Sequence, residues 1–463
     1  MTDSLEQVGG WIEDVLPGLL AQHSVPGASV AVLSGDEIFS ASSGVLNTLT
    51  GVEATTDSVF QIGSITKVWT TTLVMQLVDE GLVELDAPIR RYLPEFTLAD
   101  DAAAAAITVR QLLSHTSGFE GDVFTPSGEG EDAVERFVAG LDSVPQLFSP
   151  GDMFSYNNAA FCVLGRLVEV LRGAHYEACL RTHLIDPLQL TRTAAGAAEA
   201  IRFRAALGHL TKEAGGAPEP SAQWGLIRGH SPAGSVLNMS AEDLMAFAKL
   251  HLNGGVGPDG TQLISSASVA AMQQEQVQLP VLGDGLDGWG LGWRLFDWNG
   301  GRTIGHNGGT LGQSAFFRVF PEHNIAIALL TNGGRTQELY SDLVLPAVER
   351  LTGITPPAAP VPDPEAQRFD ASRYVGTYRS QAADIHVTQD DDGRVWIEHE
   401  LQGIFAELGP KPEPVELVRW RGDTVLALTV DQVTMPQYEF VGDDGHGRAT
   451  HLHGGRASRR VTT

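Results

Sequence analysis

Ser64-Ile65-Thr66-Lys67 stands at the head of an apolar stretch that runs to about Glu80 and stops before Gly81. The pattern predicts a long helix starting at Ser64, closed by a glycine after its last turn. Positions three apart on a helix share one face, so the serine hydroxyl and the lysine amine are neighbours. A serine hydroxyl is a weak nucleophile until a base takes its proton. A lysine enclosed by apolar groups can have its pKa lowered enough to act as that base at neutral pH. The helix N-terminus adds a field that favours developing negative charge. Alone, the tetrad is equally compatible with an ordinary helix bearing a surface lysine. Lysine usage sharpens it, because Lys67, Lys212, Lys249 and Lys411 are the only lysines among plentiful arginines. A lysine kept where arginine is the usual cation suggests a group that must lose its proton.

Two further clusters lie downstream. Tyr156-Asn157-Asn158 follows the turn Ser149-Pro150-Gly151-Asp152 and opens a second helix, carrying Cys162 and Leu164. A tyrosine beside an ammonium group can act as acid or base, and an asparagine two residues on can hold the lysine and a substrate amide. Standing alone, the same residues would read as a helix cap. His306-Asn307-Gly308-Gly309 lies at the end of a predicted strand. Glycines there let a substrate backbone approach an edge strand, and the N–H groups of Ser64 and Gly309 could together form an oxyanion hole. The competing reading is a tight turn with a surface histidine.

Working outward, residues 4 to 23 read as an amphipathic helix on Leu5, Val8, Ile12, Val15 and Leu19. Strands are expected at Ala28 to Leu33 and Glu37 to Ala41, then again at Trp289 to Phe296, Arg302 to His306, Ser314 to Phe320 and Ile325 to Thr331. Ser240 opens a helix that ends at Gly254 and Gly255. Two blocks of strand flanking a helical middle suggest one antiparallel sheet built from both ends of a domain. Pro356, Pro357, Pro360, Pro362 and Pro364 mark a semi-rigid linker. The tail beyond it reads as short strands and turns, such as Asp392-Gly393 and Asp444-Gly445, forming a small all-β domain, a barrel. The division expected is therefore 1–352, a linker at 353–367, and 368–463.

Composition narrows the partners. With 463 residues the chain exceeds one ordinary core. A formal net charge of -27 repels phosphate backbones and anionic lipid, which disfavours nucleic acid and membrane surfaces as partners. Cys162 and Cys179 sit in apolar stretches and read as buried thiols. No metal or other cofactor is assigned. The first thirty residues carry acids and no Lys or Arg, and no run of about eighteen apolar residues occurs. Taken from Met1, the chain is expected to be cytoplasmic.

Together, Ser-x-x-Lys, Tyr-x-Asn and His-x-Gly resemble the triple motif of serine β-lactamases and penicillin-binding proteins, in the class C-like branch. The segment from Ile107 to Gly118 is also similar to that family, with His115 read as packed. The resemblance covers roughly residues 10 to 350. It implies an α/β fold, an antiparallel sheet flanked by helices with an all-helical subdomain, and a site between them. Tyr374-Val375-Gly376-Thr377-Tyr378 resembles the start of the lipocalin-like domain that follows some members. The resemblance makes Ser64 the nucleophile and Lys67 and Tyr156 the proton carriers. Asn158 positions Lys67 and the acyl amide, and His306 stands beside the leaving group or incoming nucleophile. The oxyanion hole falls to the Ser64 and Gly309 backbones, and Asn307 and Gly308 to the substrate.

The acyl substrate is less legible. In length, domain order and motif set the chain is most like penicillin-binding-protein-type thioesterases. These take a peptidyl thioester ending in a D-residue from a carrier protein and release it as a head-to-tail macrolactam. A cytoplasmic esterase or D-aminopeptidase, or a D,D-peptidase, is the alternative; a non-catalytic peptide-binding relative is another. The resemblance also implies a tail-domain arginine facing the site, for which Arg456 is the candidate against an ordinary surface arginine. Its loss is expected to impair peptide turnover and to spare a small ester.

Overall fold

The structure is a computed structural model that describes residues 2–213, 215–280, 285–358, 360, 368–407, 410–428 and 437–461. Of the proline-rich linker expected over 353–367, residues 359 and 361–367 lie outside the described residues.

The chain opens with helix Leu5–Gln22, where Ser4 and Gln7 form a reciprocal capping box that satisfies two N-terminal donors. Its apolar face, Val8, Ile12, Leu16 and Leu20, is buried against the sheet. Among the described residues that sheet has nine strands, all antiparallel. Gly27–Ser34 lies within it and pairs with Ile325–Thr331, from the far end of the same domain, with Val30 opposite Leu329. The sheet is thus built from both ends of the chain segment. The strand expected from Trp289 to Phe296 is two strands, Leu286–Trp289 and Arg294–Trp298. Gly290-Leu291-Gly292 breaks the run, with Gly292 at φ +74°, a left-handed conformation that glycine adopts without steric cost.

Helix Thr66–Asp79 lies in the interior, with every residue from Thr66 to Leu77 buried. A helix buried on all sides must satisfy its own polar groups. Thr70, Thr71 and Thr72 do so by donating to the carbonyls of Thr66, Lys67 and Val68. Trp69 stacks on Phe247 at 4.0 Å between ring centroids. The second helix of the site, Asn158–Arg172, packs against this one.

Beyond residue 367, eight strands among the described residues close into a barrel, from Gly376–Arg379 to Ala457–Arg460, with Tyr378 paired to Arg460 at the seam. Closure leaves no open sheet edge. Tyr374, Tyr378 and Phe440 fill its core. Among the described residues no helix is long and apolar enough to cross a membrane.

Candidate active site

Ser64 lies in a short 3-10 turn, Gly63–Ile65, that leads into helix Thr66–Asp79. That turn presses against the end of strand Gly301–Gly309. Gly63 has φ +51°, and a Cβ there would stand 2.5 Å from the Gly309 nitrogen. A Cβ on Gly308 would stand 1.8 Å from the Ile62 carbonyl oxygen. The close approach therefore requires glycine on both sides, and it brings the backbone nitrogens of Ser64 and Gly309 to one corner. Gly308→Ala is expected to force the strand away from Ser64. Labelling of Ser64 by a fluorophosphonate should slow by about a hundredfold, the scale of a lost oxyanion donor.

Lys67 is fully buried. Its Nζ lies 3.1 Å from Ser64 Oγ, 2.7 Å from Asn158 Oδ1 and 2.7 Å from the Ala233 carbonyl oxygen. The last two groups can only accept. A neutral amine would give both its hydrogens to them and turn its lone pair to the Ser64 hydroxyl, the arrangement of a general base. Burial lowers the Lys67 pKa from its ordinary value, and the Arg456 charge lowers it further against opposition from Tyr156 and Cys162.

Tyr156 sits over this amine, with Nζ 4.9 Å from the ring centroid. Asn157 is a cap as well as a neighbour, since its side chain accepts from the Ala160 N–H. Asn158 lines the cavity in front of Ser64. Asn307 also lines it, held by Arg318, whose Nη1 donates to its Oδ1 at 2.7 Å.

His306 lies beside Tyr156 and off the cavity wall. It is fully buried, its ring packs 6.1 Å from Tyr156 and 5.6 Å from Trp289, and it is not among the residues lining the cavity. Its Nδ1 is 2.6 Å from the Asn307 carbonyl oxygen, so that nitrogen carries the proton. Strand alternation explains this: Asn307 and His306 face opposite sides of the sheet. Burial, followed by the Arg294 and Lys67 charges, holds its pKa well below the ordinary value. His115 is packed, as read. It is fully buried, accepts from the Asn157 N–H at 2.9 Å, and lies 4.4 Å from the Tyr156 ring.

The barrel docks on this site. The Tyr156 N–H donates to the Gly455 carbonyl at 3.1 Å, His453 Nε2 to the Phe154 carbonyl at 2.7 Å, and the Ala457 N–H to Ser155 Oγ at 3.1 Å. One cavity of about 760 Å³ is lined by Ser64, Tyr156 and Phe124 from one side and by Phe405, Tyr438 and Arg456 from the barrel. Arg456 is not an ordinary surface residue. Its guanidinium pairs with Asp122, and its Cζ lies 5.1 Å from the centroid of the Tyr156 ring. Asp122 and Glu120, both buried, were not legible in the sequence. A glycine between two acids, as in Glu120-Gly121-Asp122, looks like a solvated turn until its partners are known.

The β-lactamase family model matches residues 12–347. Penicillin-binding protein 4 of Amycolatopsis lactamdurans is 42% identical over 365 residues, 78% of this chain and 95% of that protein. Among solved structures, SurE aligns with a TM-score of 0.80 at 27% identity, over 99% of this chain and 100% of that one, and it has also been solved with D-Leu. A D-amino acid amidase from Ochrobactrum anthropi SV3 shares the fold, with a TM-score of 0.63 at 24% identity over 74% of this chain and 99% of its own.

Proposed function

Because the chain belongs to the β-lactamase family, we propose that Ser64 is acylated by a peptidyl thioester ending in a D-residue and passes the peptide to its own N-terminal amine. Lys67 takes the Ser64 proton as Oγ attacks the thioester carbon. The Ser64 and Gly309 N–H groups stabilise the oxyanion. The thiol leaves with a proton delivered through Tyr156, and the acyl group stays on Ser64. The peptide's amine then attacks this ester, Lys67 and Tyr156 accept its proton, and a macrolactam leaves as Ser64 regains its hydrogen. His306 acts from behind Tyr156 as a neutral packing partner that positions the phenol.

The observation that carries the peptide reading is the shared cavity. A barrel wall over the nucleophile gives a folded peptide apolar surface at Phe405 and Tyr438 and reduces the access of water, which competes with the amine. The alignment with SurE, which has been solved with D-Leu, supports a D-configured donor. A carrier protein as thiol partner, and with it a cytoplasmic setting, follows from the thioester rather than from any docking surface. The test is intact-protein mass measurement after mixing with a D-terminated peptidyl thioester. A Ser64-dependent adduct of the peptidyl mass is expected with the D-donor. Equal adducts from the L-epimer would contradict the stereochemical assignment.

A further inference from the structure

Asp122 links the barrel to the catalytic amine. It is 4% exposed. Its Oδ1 accepts from Asn158 Nδ2 at 2.8 Å and from Arg456 Nη2 at 3.2 Å, and its Oδ2 pairs with Arg456 Nε. The other end of the Asn158 amide accepts from Lys67 Nζ. An ionised carboxylate can only accept, so Asp122 admits only the NH₂ end of Asn158 and leaves the oxygen for Lys67. A flipped amide would set donor against donor at Lys67 and acceptor against acceptor at Asp122.

The loop that carries Asp122 is held from the barrel a second time. Glu120 Oε1 accepts from the N–H groups of Gly121 and Asp122 at 2.9 and 3.2 Å, and its Oε2 accepts from the Gln381 N–H of the barrel at 3.0 Å. Both barrel contacts therefore converge on the short segment whose end fixes Asn158.

We propose that Asp122 is a positioning residue that couples barrel docking to the base: Arg456 and Gln381 hold the loop, Asp122 orients the Asn158 amide, and Asn158 holds Lys67. This rests on the reading of Lys67 as the base for Ser64. It changes what Arg456 does. A residue that only touched the peptide would matter to peptides alone, whereas one that sets the base through Asp122 matters to every acyl donor, including one too small to reach the barrel.

The experiment compares full-length wild type, Asp122→Asn, Arg456→Gln and the double variant. Acylation by a small p-nitrophenyl ester and by the peptidyl thioester is followed against pH. The groups facing the Lys67 amine are Tyr156, Cys162 and Arg456, with His115 and His306 packed on Tyr156, and Asp122 and Glu120 facing Arg456. An asparagine in place of Asp122 keeps only one of the two oxygens: with that oxygen on Asn158 and Arg456 Nη2, its NH₂ faces Arg456 Nε, donor against donor, and the charge that balances the guanidinium is gone. Each single variant should lose at least about tenfold in acylation by the small ester, and the double should lose no more than the worse single, as coupled groups do. The acid limb of the profile should move to higher pH in Arg456→Gln, which loses a positive charge near the amine. It should move to lower pH in Asp122→Asn, which leaves that charge unbalanced.

Small-ester acylation within about twofold of wild type in Asp122→Asn, with an unmoved limb, overturns the coupling, as do losses confined to the peptide donor. If Asp122→Asn does not fold, Arg456→Gln decides by the same two readouts. A wild type that no donor acylates at Ser64 removes the base reading itself. That outcome is distinct from an acylated wild type whose variants match it.

Discussion

Lys67→Arg will lose acylation of Ser64 by at least about a thousandfold while the protein stays folded, because the substitution keeps a cation and removes the base. Arginine is not deprotonated in proteins and has no lone pair to offer the Ser64 hydroxyl. The buried amine contacts three groups at 2.7 to 3.1 Å, and only its neutral form can receive a proton from one of them. The pH dependence has a definite sign. Protonated Lys67 is inactive, so the wild-type rate falls as pH falls through the amine's pKa. Burial lowers that pKa from the ordinary 10.5, so full activity is reached at a lower pH than an exposed lysine would allow. Single-turnover acylation by a p-nitrophenyl ester from about pH 5 to 10, fitted to one ionisation, measures both effects. An arginine variant with wild-type kinetics would exclude Lys67 as the base.

Asn158→Leu will cost both rate and stability. The amide is 8% exposed and joins Lys67 to Asp122. An isobutyl group of similar size takes a buried partner from both the amine and the carboxylate. The stability loss should be about 3 kcal/mol, since an unsatisfied buried polar group costs roughly 1–3 kcal/mol and a charged one more. Acylation should fall by about a hundredfold or more as the amine loses its fixed direction. Denaturant midpoints and single-turnover rates on one preparation separate the two effects. Loss of stability with an unchanged rate in the remaining folded protein would make Asn158 purely structural.

The residues proposed to carry the chemistry were legible where that chemistry demands a local pattern. A nucleophile and base one helical turn apart must appear as Ser64 and Lys67, and Tyr156 and Asn158 fall two residues apart because they flank a helix start capped by Asn157. The central strand pairs were legible because burial on both faces writes continuous apolar runs such as Ile325 to Thr331. His306 shows the limit. Its place in the motif is local, but the face of the sheet on which its ring lies, and the packing of that ring behind Tyr156, are set by tertiary structure. The strand expected from Trp289 to Phe296 failed for a related reason: two tryptophans in one apolar run concealed a glycine-made reversal. Asp122, Glu120 and His453 were invisible because their meaning resides in partners across the barrel interface, each more than 250 residues away in the chain. No period or spacing in a sequence records a contact of that kind.

The central claim is transfer of a D-configured peptidyl group from thioester to Ser64 and on to the peptide's own amine. It is tested most directly by incubating the protein with a peptidyl thioester that ends in a D-residue and has a free N-terminus, then weighing the products, with Ser64→Ala as control. The predicted result is a product lighter than the linear acid by one water, formed by the wild type and absent with Ser64→Ala. Linear acid as the sole Ser64-dependent product would contradict the cyclase and leave a hydrolase.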